Sequence, residues 1–397
     1  MSHRFVLLAC LLSPLVTAGE ADRQRLDLSG FARVVAGSIN DDDVAFEGYD
    51  DGMTLSEQSL FALQADLRLG ERLSIAAQGL LHSSGFRDSG LEWLYLNYEP
   101  SANWQFKLGR LRTPFLNYSD VIDVGYAYPW ISAPAPVYGS YLFSNYEGAS
   151  GTLHTRLGAA LLDVEVYWGS DDTEVYNAGL EIPTEIEDLR GAIATLEYGN
   201  LSARIGYHEA GSVTASVPEL VQFADLLRQE GFSASADSLS LRGGVDALQA
   251  GLRYDDLDYF VIAEFLRIEA DVVTAAPRID SYYLTLGRNL YPLQLHATAG
   301  RSRSDQPQPV TDEIPGGVSP LFDFLAAGYQ QIFDSSTTDN IDYLSAGLRW
   351  DLRADMAFKA ELSWVEERRP SQFFEVESGG DFDGSTLLFQ LGLEWVF

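Results

Sequence analysis

The chain has 397 residues, with 58 acidic against 26 basic side chains, a formal net charge of −32, and one cysteine, Cys10. So acidic a protein is a poor partner for nucleic acid, whose phosphates need a basic surface. A single cysteine excludes an intrachain disulfide framework and a multi-cysteine metal centre.

At the N-terminus, Met1-Ser-His-Arg4 is a short basic start, Phe5 to Val16 is almost wholly apolar, and Val16-Thr17-Ala18 has the small residues of a cleavage site. This reads as a secretory signal peptide, residues 1–18, followed by one exported domain, 19–397. No later run of 18 or more apolar residues could form a membrane-spanning helix. A periplasmic or secreted soluble protein remains possible on that ground, as does an outer-membrane barrel, whose strands are only half apolar.

From residue 26 onward the hydrophobic period is two. Phe61, Leu63, Ala65, Leu67 and Leu69 alternate with polar or small residues; after Gly70-Glu71 the pattern resumes with Leu73, Ile75, Ala77, Gly79 and Leu81, which predicts a tight hairpin. The design returns at Ala160–Trp168 and again at Leu344–Trp350 running into Met356–Trp364. Such segments fall at about 26–36, 58–69, 72–82, 90–98, 103–113, 147–157, 159–169, 188–198, 200–208, 245–254, 257–269, 278–287, 292–301, 340–350, 354–365 and 385–397. That is sixteen, an even number of segments close to the length a tilted strand needs to cross a bilayer.

Connection lengths alternate. Short turns (70–71, 99–102, near 158, near 199, 255–256, 288–291, 351–353) interleave with long segments (37–57, 83–89, 114–146, 170–187, 209–244, 270–277, 302–339, 366–384). A barrel with short periplasmic turns and long outer loops explains that parity; a soluble sandwich does not. Two long segments carry helix starts: Ser216-Val-Pro-Glu219, with capping-box spacing, and Ser319-Pro320. Acidic runs such as Asp41-Asp42-Asp43 and Asp171-Asp172 read as solvated faces. The last strand places Leu387, Phe389, Leu391, Leu393, Trp395 and Phe397 on one face, suited to lipid, and a smaller, more polar set on the other.

The third long segment follows Gly109-Arg-Leu-Arg-Thr-Pro-Phe115 and holds nine aromatics between Phe115 and Tyr146, with prolines at 129, 134 and 136. Length without long apolar runs marks a functional loop, and the aromatics imply one packed on something. By architecture the whole exported chain resembles the trimeric sixteen-stranded porins of Gram-negative outer membranes, and the motif, the long third loop and terminal Phe397 carry that resemblance. It implies an all-β, transmembrane antiparallel barrel with the third loop folded into the pore. It also implies a homotrimer in contact with outer-membrane lipid and lipopolysaccharide, and a final strand read by the outer-membrane assembly machinery. Carried onto this chain, the constriction would set Asp120 and Asp123 on the loop against Arg110 and Arg112. The residues themselves add a lumen-facing arginine set, Arg33, Arg68, Arg72, Arg156, Arg204 and Arg253, whose charge is fixed at any physiological pH.

Catalysis has little support. His82, His154, His208 and His296 fall on different predicted strands without metal-ligand spacing, and Gly148-Ala-Ser-Gly151 is not a nucleophile elbow. No cofactor motif is present. The reading is therefore a non-enzymatic channel for passive diffusion of small hydrophilic solutes and ions, working by pore diameter and fixed charge. The alternatives are a substrate-selective channel for carbohydrate or anions, with Tyr126, Tyr128, Trp130, Tyr138 and Tyr141 as a sugar-binding file, and a barrel-type outer-membrane hydrolase. For those aromatics, packing against the wall is the simpler role.

Overall fold

The computed structural model describes residues 25–84, 89–139, 144–177, 180–336, 338–376 and 380–397. The signal-peptide reading over 1–18 and the loop residue Tyr141 fall outside those residues. The first half of the chain gives β1 (Leu26–Ile39), β2 (Val44–Phe46), β3 (Leu60–Arg68), β4 (Leu73–His82), β5 (Gly90–Ser101), β6 (Trp104–Arg112), β7 (Asn145–Leu157), β8 (Ala160–Asn177) and β9 (Leu180–Tyr198). The second gives β10 (Leu201–Ala215), β11 (Arg242–Asp255), β12 (Tyr259–Ala270), β13 (Arg278–Leu290), β14 (Leu293–Ser304), β15 (Ile341–Arg353), β16 (Met356–Glu367), β17 (Phe374–Val376) and β18 (Ser385–Val396). Sixteen of these close into one antiparallel barrel, while β2 and β17 form a separate two-stranded sheet that links the first and last long segments.

Burial along the strands is inverted relative to a soluble protein. Leu286 and Leu344 are 54% and 53% exposed, whereas the inward positions Thr285 and Lys359 are 0% and 1% exposed. The same exposed row continues through Phe61, Leu63, Leu94, Phe106, Leu108 and Trp168. Water would reverse that order; acyl chains solvate the apolar row, so these strands span a membrane.

Closure is made at β1, which pairs with β3 on one side and β18 on the other. Gly30 and Phe397 exchange both backbone hydrogen bonds, at 2.8 and 2.9 Å, and the Phe397 ring stacks on Phe61. A Cβ at Gly30 would lie 2.6 Å from that ring and from the Ala62 carbonyl, so a side chain there would collide with the closing strand. No barrel edge is left to pair with another chain.

Two expectations need correction. The stretch 170–187 is not a loop: β8 and β9 continue as a paired hairpin, with Asp171 opposite Ile186 and Val175 opposite Ile182. Above the membrane an outward residue need not be apolar, so acidic strand sequence resembles loop sequence. Ser216 does not cap the helix after β10; the helix α2 spans Pro218–Gln229 with Val217 at its N-cap and no side-chain cap. Ser319 does cap its helix, α4 (Pro320–Asp334), accepting from the Phe322 N–H at 3.1 Å. Helix α3 (Ser233–Ser238) lies between these two in sequence. Leu227, Ala236, Leu325 and Phe333 from the three helices share one small core with Phe232.

Strand β12 departs from simple alternation. Val261, Ala263 and Phe265 occupy one face and Phe260, Ile262, Leu266 and Ile268 the other. The inward set is buried with Phe115, Leu116, Tyr118, Tyr128, Trp130 and Val137 of the segment after β6. An apolar inward face has to be covered by protein, and this cluster fixes where the third long segment goes.

Candidate functional site

In the segment 113–144 between β6 and β7, the described residues 113–139 fold as short 3-10 turns at Ser119–Val121 and Gly125–Ala127 and one helical turn, α1 (Ala135–Tyr138). Pro129 lies in a bend and Pro134 and Pro136 at the start of α1, where a missing N–H costs nothing, and together they prevent a longer helix. Its backbone polar groups find partners on the inward rows of the barrel. Lys359 Nζ donates to the carbonyls of Gly125, Tyr128 and Trp130 at 2.7, 2.8 and 2.6 Å and pairs with Glu394 at 2.7 Å. The Ile131 N–H donates to Glu361 at 2.8 Å, and Trp130 Nε1 reaches Thr298 at 3.0 Å and Thr285 at 3.2 Å.

Glu264, the one acid in the apolar inward row of β12, accepts from the Asn117 N–H at 2.8 Å and from the Tyr138 hydroxyl at 2.9 Å. Arg349 donates to the Tyr126 carbonyl at 2.7 Å and lies over the Tyr126 ring at 4.3 Å. Arg33 donates to the Tyr128 hydroxyl at 3.1 Å, and that hydroxyl donates to the Ile122 carbonyl at 2.6 Å. Burial pushes the Tyr128 phenol up to about 12, with Arg33 pulling the other way, so it stays a neutral donor. The segment is thus held by a lysine, acids, arginines and threonines on β1 and β12 to β18.

The expected constriction residues separate into groups. Arg112 and Asp123 are brought together as a buried ion pair, with Glu92 3.3 Å from Arg112. Arg204 donates to the Pro114 carbonyl, at the root of the segment. Asp120 is exposed, and it borders two spaces: about 390 Å³ shared with Lys107, Glu165, Arg204 and Arg253, and about 420 Å³ shared with Gln64, Gln78 and Trp93. Arg110 stands in register with Leu94 and Glu147, on the face of β6 that carries Trp104, Phe106 and Leu108, so strand parity turns it away from the lumen. Arg68 and Arg156 have inward parity but sit at the short-turn rim: Arg68 is exposed on Asp27 at 2.9 Å, and Arg156 is exposed beside the Gly158 turn. Parity located the face of these two, and position along the strand removed them from the segment.

Sequence reasoning missed Lys359, Glu361, Glu264 and Arg349. A signal existed. Lys359 is one of only two lysines in the chain, and it alternates with Phe358 and Ala360 on an otherwise recognised strand. The loop aromatics Tyr128 and Trp130 are buried and meet Tyr118 edge-on, which is the packing role rather than an open file for sugar rings.

A closed barrel with an apolar outer face, and a long segment after its sixth strand bound to its inner rows, defines the sixteen-stranded porin fold. Comparison with solved structures agrees. The chain is similar to an anion-selective porin from Comamonas acidovorans (TM-score 0.57, 13% identity, 94% of this chain and 99% of that one). It is also similar to the outer membrane channel DcaP of Acinetobacter baumannii (0.56, 13%, 94% and 97%). A third is the trimer form of OmpT, an outer membrane protein of Vibrio cholerae (0.51, 12%, 94% and 99%). No protein-family model matches the sequence, and no curated protein matches it.

Proposed function

We propose that this protein is an outer-membrane channel through which small hydrophilic solutes and ions diffuse passively, and that the segment 113–144 narrows its lumen. The observation that carries the reading is Asp120, the exposed carboxylate of a largely buried stretch, bordering the same space as Lys107, Arg204 and Arg253. Fixed charges of both signs around one polar space select by field and diameter, and no covalent step is needed. Arg112 and Asp123 neutralise each other and act as positioning residues for the loop. Lumen charge is carried by Asp120 with Arg204 and Arg253. A homotrimer in contact with outer-membrane lipid and lipopolysaccharide, assembled through the strand that ends at Phe397, completes the proposal; the trimer form of the Vibrio protein supports it.

The test is a planar-bilayer recording on the purified protein. Stepwise conductance that rises linearly with salt and is unaffected by added sugars is expected. Absence of conductance in correctly folded protein would overturn the channel reading. Saturation by one sugar or one anion would replace passive diffusion with a substrate-selective channel.

A further inference from the structure

The space around Asp120 is walled by residues beside the short turns, among them His154, Glu197 and Arg253. Another space, of about 450 Å³, borders the segment after β6 from the long-loop end. Its walls include Tyr128 of that segment, Arg33 on β1, and Glu47, Glu57, Phe373 and Glu375 of the first and last long segments.

The charges on this space are held in place yet lack partners. Glu47 and Gly48 form a two-residue turn with φ of 49° and 81°, closed by the Phe46 and Tyr49 backbone bonds at 2.9 and 3.0 Å. Positive φ at both positions is the geometry that favours Asn-Gly, so a glutamate is an unexpected occupant. Pairing of β2 with β17 and the Phe46–Phe374 ring contact at 5.1 Å fix the turn on the protein. Among the described residues Glu47 makes no hydrogen bond or ion pair. Nearby Glu57 accepts from the hydroxyls of Ser56 at 2.5 Å and Ser84 at 3.2 Å, which orients its carboxylate.

Arg33 is the opposite charge. It is only 8% exposed and donates from Nε to the Gln58 carbonyl at 2.8 Å and from Nη1 to the Tyr128 hydroxyl at 3.1 Å, but no described carboxylate pairs with it. The acids nearest in charge are committed elsewhere, Glu394 to Lys359 and Asp123 to Arg112. Burial raises the Tyr49 phenol, Glu47 and Glu57 add to that rise and Arg33 opposes it, so the three charges surround one residue. A buried charge is ordinarily paired, and here a guanidinium and a carboxyl face one space without pairing to each other. A ligand carrying both opposite charges would satisfy both.

We propose that this space binds a small zwitterion of the amino-acid and short-peptide class, its carboxylate on Arg33 and its ammonium on Glu47 with Glu57 beside it. The planar guanidinium suits a carboxylate, and a volume of about 450 Å³ falls in the range of small-molecule sites, about 300–1,000 Å³. The inference rests on the channel reading above and deepens it: such solutes are captured at the mouth before they reach the Asp120 space.

The test is isothermal titration of detergent-purified full-length protein at about pH 8, above the Glu47 pKa of about 7, so that the carboxylate is ionised. The probes are L-alanyl-L-alanine, its N-acetyl form, which lacks the ammonium, and its C-terminal amide, which lacks the carboxylate. The free dipeptide should bind at least about tenfold more tightly than either blocked form, and Glu47→Gln should weaken it as much, the loss of one charge-assisted contact in each case. Arg33→Gln should weaken the dipeptide likewise and leave the amide unchanged, while Arg190→Gln, an exposed arginine paired with Glu209, should change nothing. The analogue series on wild type stands even if Arg33→Gln, which also frees Tyr128, does not fold. No binding of the dipeptide, equal binding of a blocked form, or wild-type affinity in folded Glu47→Gln would each overturn the site. Bilayer conductance of the same preparations separates the two readings: conductance without dipeptide binding rejects the site alone, and binding without conductance rejects the channel and keeps the site.

Discussion

The two halves of the barrel interior use the same strand alternation for opposite ends. From β12 through β18, inward positions carry an apolar stripe (Phe260, Ile262, Leu266) and buried ionic groups (Glu264, Lys359, Glu361, Glu394), and they are covered by residues 113–139. From β6 through β11, inward positions carry Lys107, Glu165, Arg204 and Arg253, and they border open space. Charge alone does not distinguish the walls. A buried charge must be paired and hydrogen-bonded, as Lys359 is with Glu394 and three carbonyls, whereas a wet one can stay unpaired and act at a distance. On the proposed function, the first wall is an anchor and the second is the working surface.

If that division is right, the largest damage comes from the anchor. Trp130→Ala empties a buried indole site and abandons Thr285 and Thr298; a loss of about 3–5 kcal/mol is expected from large-to-small substitution, read as a lower urea midpoint. Lys359→Met strands Glu394 without its ion-pair partner and the segment carbonyls without a donor, at about 3 kcal/mol. Its conductance should become larger and noisier as the segment loosens, and Lys359→Met/Glu394→Gln should recover part of the stability. A Lys359→Met channel with wild-type conductance and midpoint would contradict the anchor. On the opposite wall the pattern reverses. Asp120→Asn should change stability by less than about 0.5 kcal/mol, yet move the reversal potential in a salt gradient toward anion preference, with Arg204→Gln moving it the other way.

A further effect is a pH dependence at the mouth. Burial, reinforced by Glu361, lifts the Glu47 carboxyl from 4.5 to about 7. The folded state then holds that proton more tightly than the unfolded chain. Its contribution to stability is complete below about pH 4.5 and is lost as pH rises to about 7. Glu47→Gln should flatten the urea midpoint across that window; an unchanged slope would show that Glu47 titrates normally.

Much of this was open to reading from the chain. Period-two alternation located all sixteen barrel strands, and Phe397 was recognisable as a closing residue before its pairing with Gly30 was seen. Strand ends above the membrane were harder, since acidic residues of β8 and β9 satisfy a solvated hairpin as well as a loop. Within the site, Asp120 and Arg204 were named from sequence and stand at the open space, Arg112 and Asp123 were named and form a buried ion pair, and Arg110, Arg68 and Arg156 stand apart from the segment.

Sequence by itself determined the barrel, because lipid outside and protein or water inside force a two-residue repeat that any strand displays locally. It also determined that the segment after Phe115 must pack, because nine aromatics cannot remain in water at no cost. Which wall receives that segment, and therefore which charges stay wet, was decided by tertiary structure alone. Gly125 and Lys359 are 234 residues apart, and the bond between them exists only once the barrel has closed.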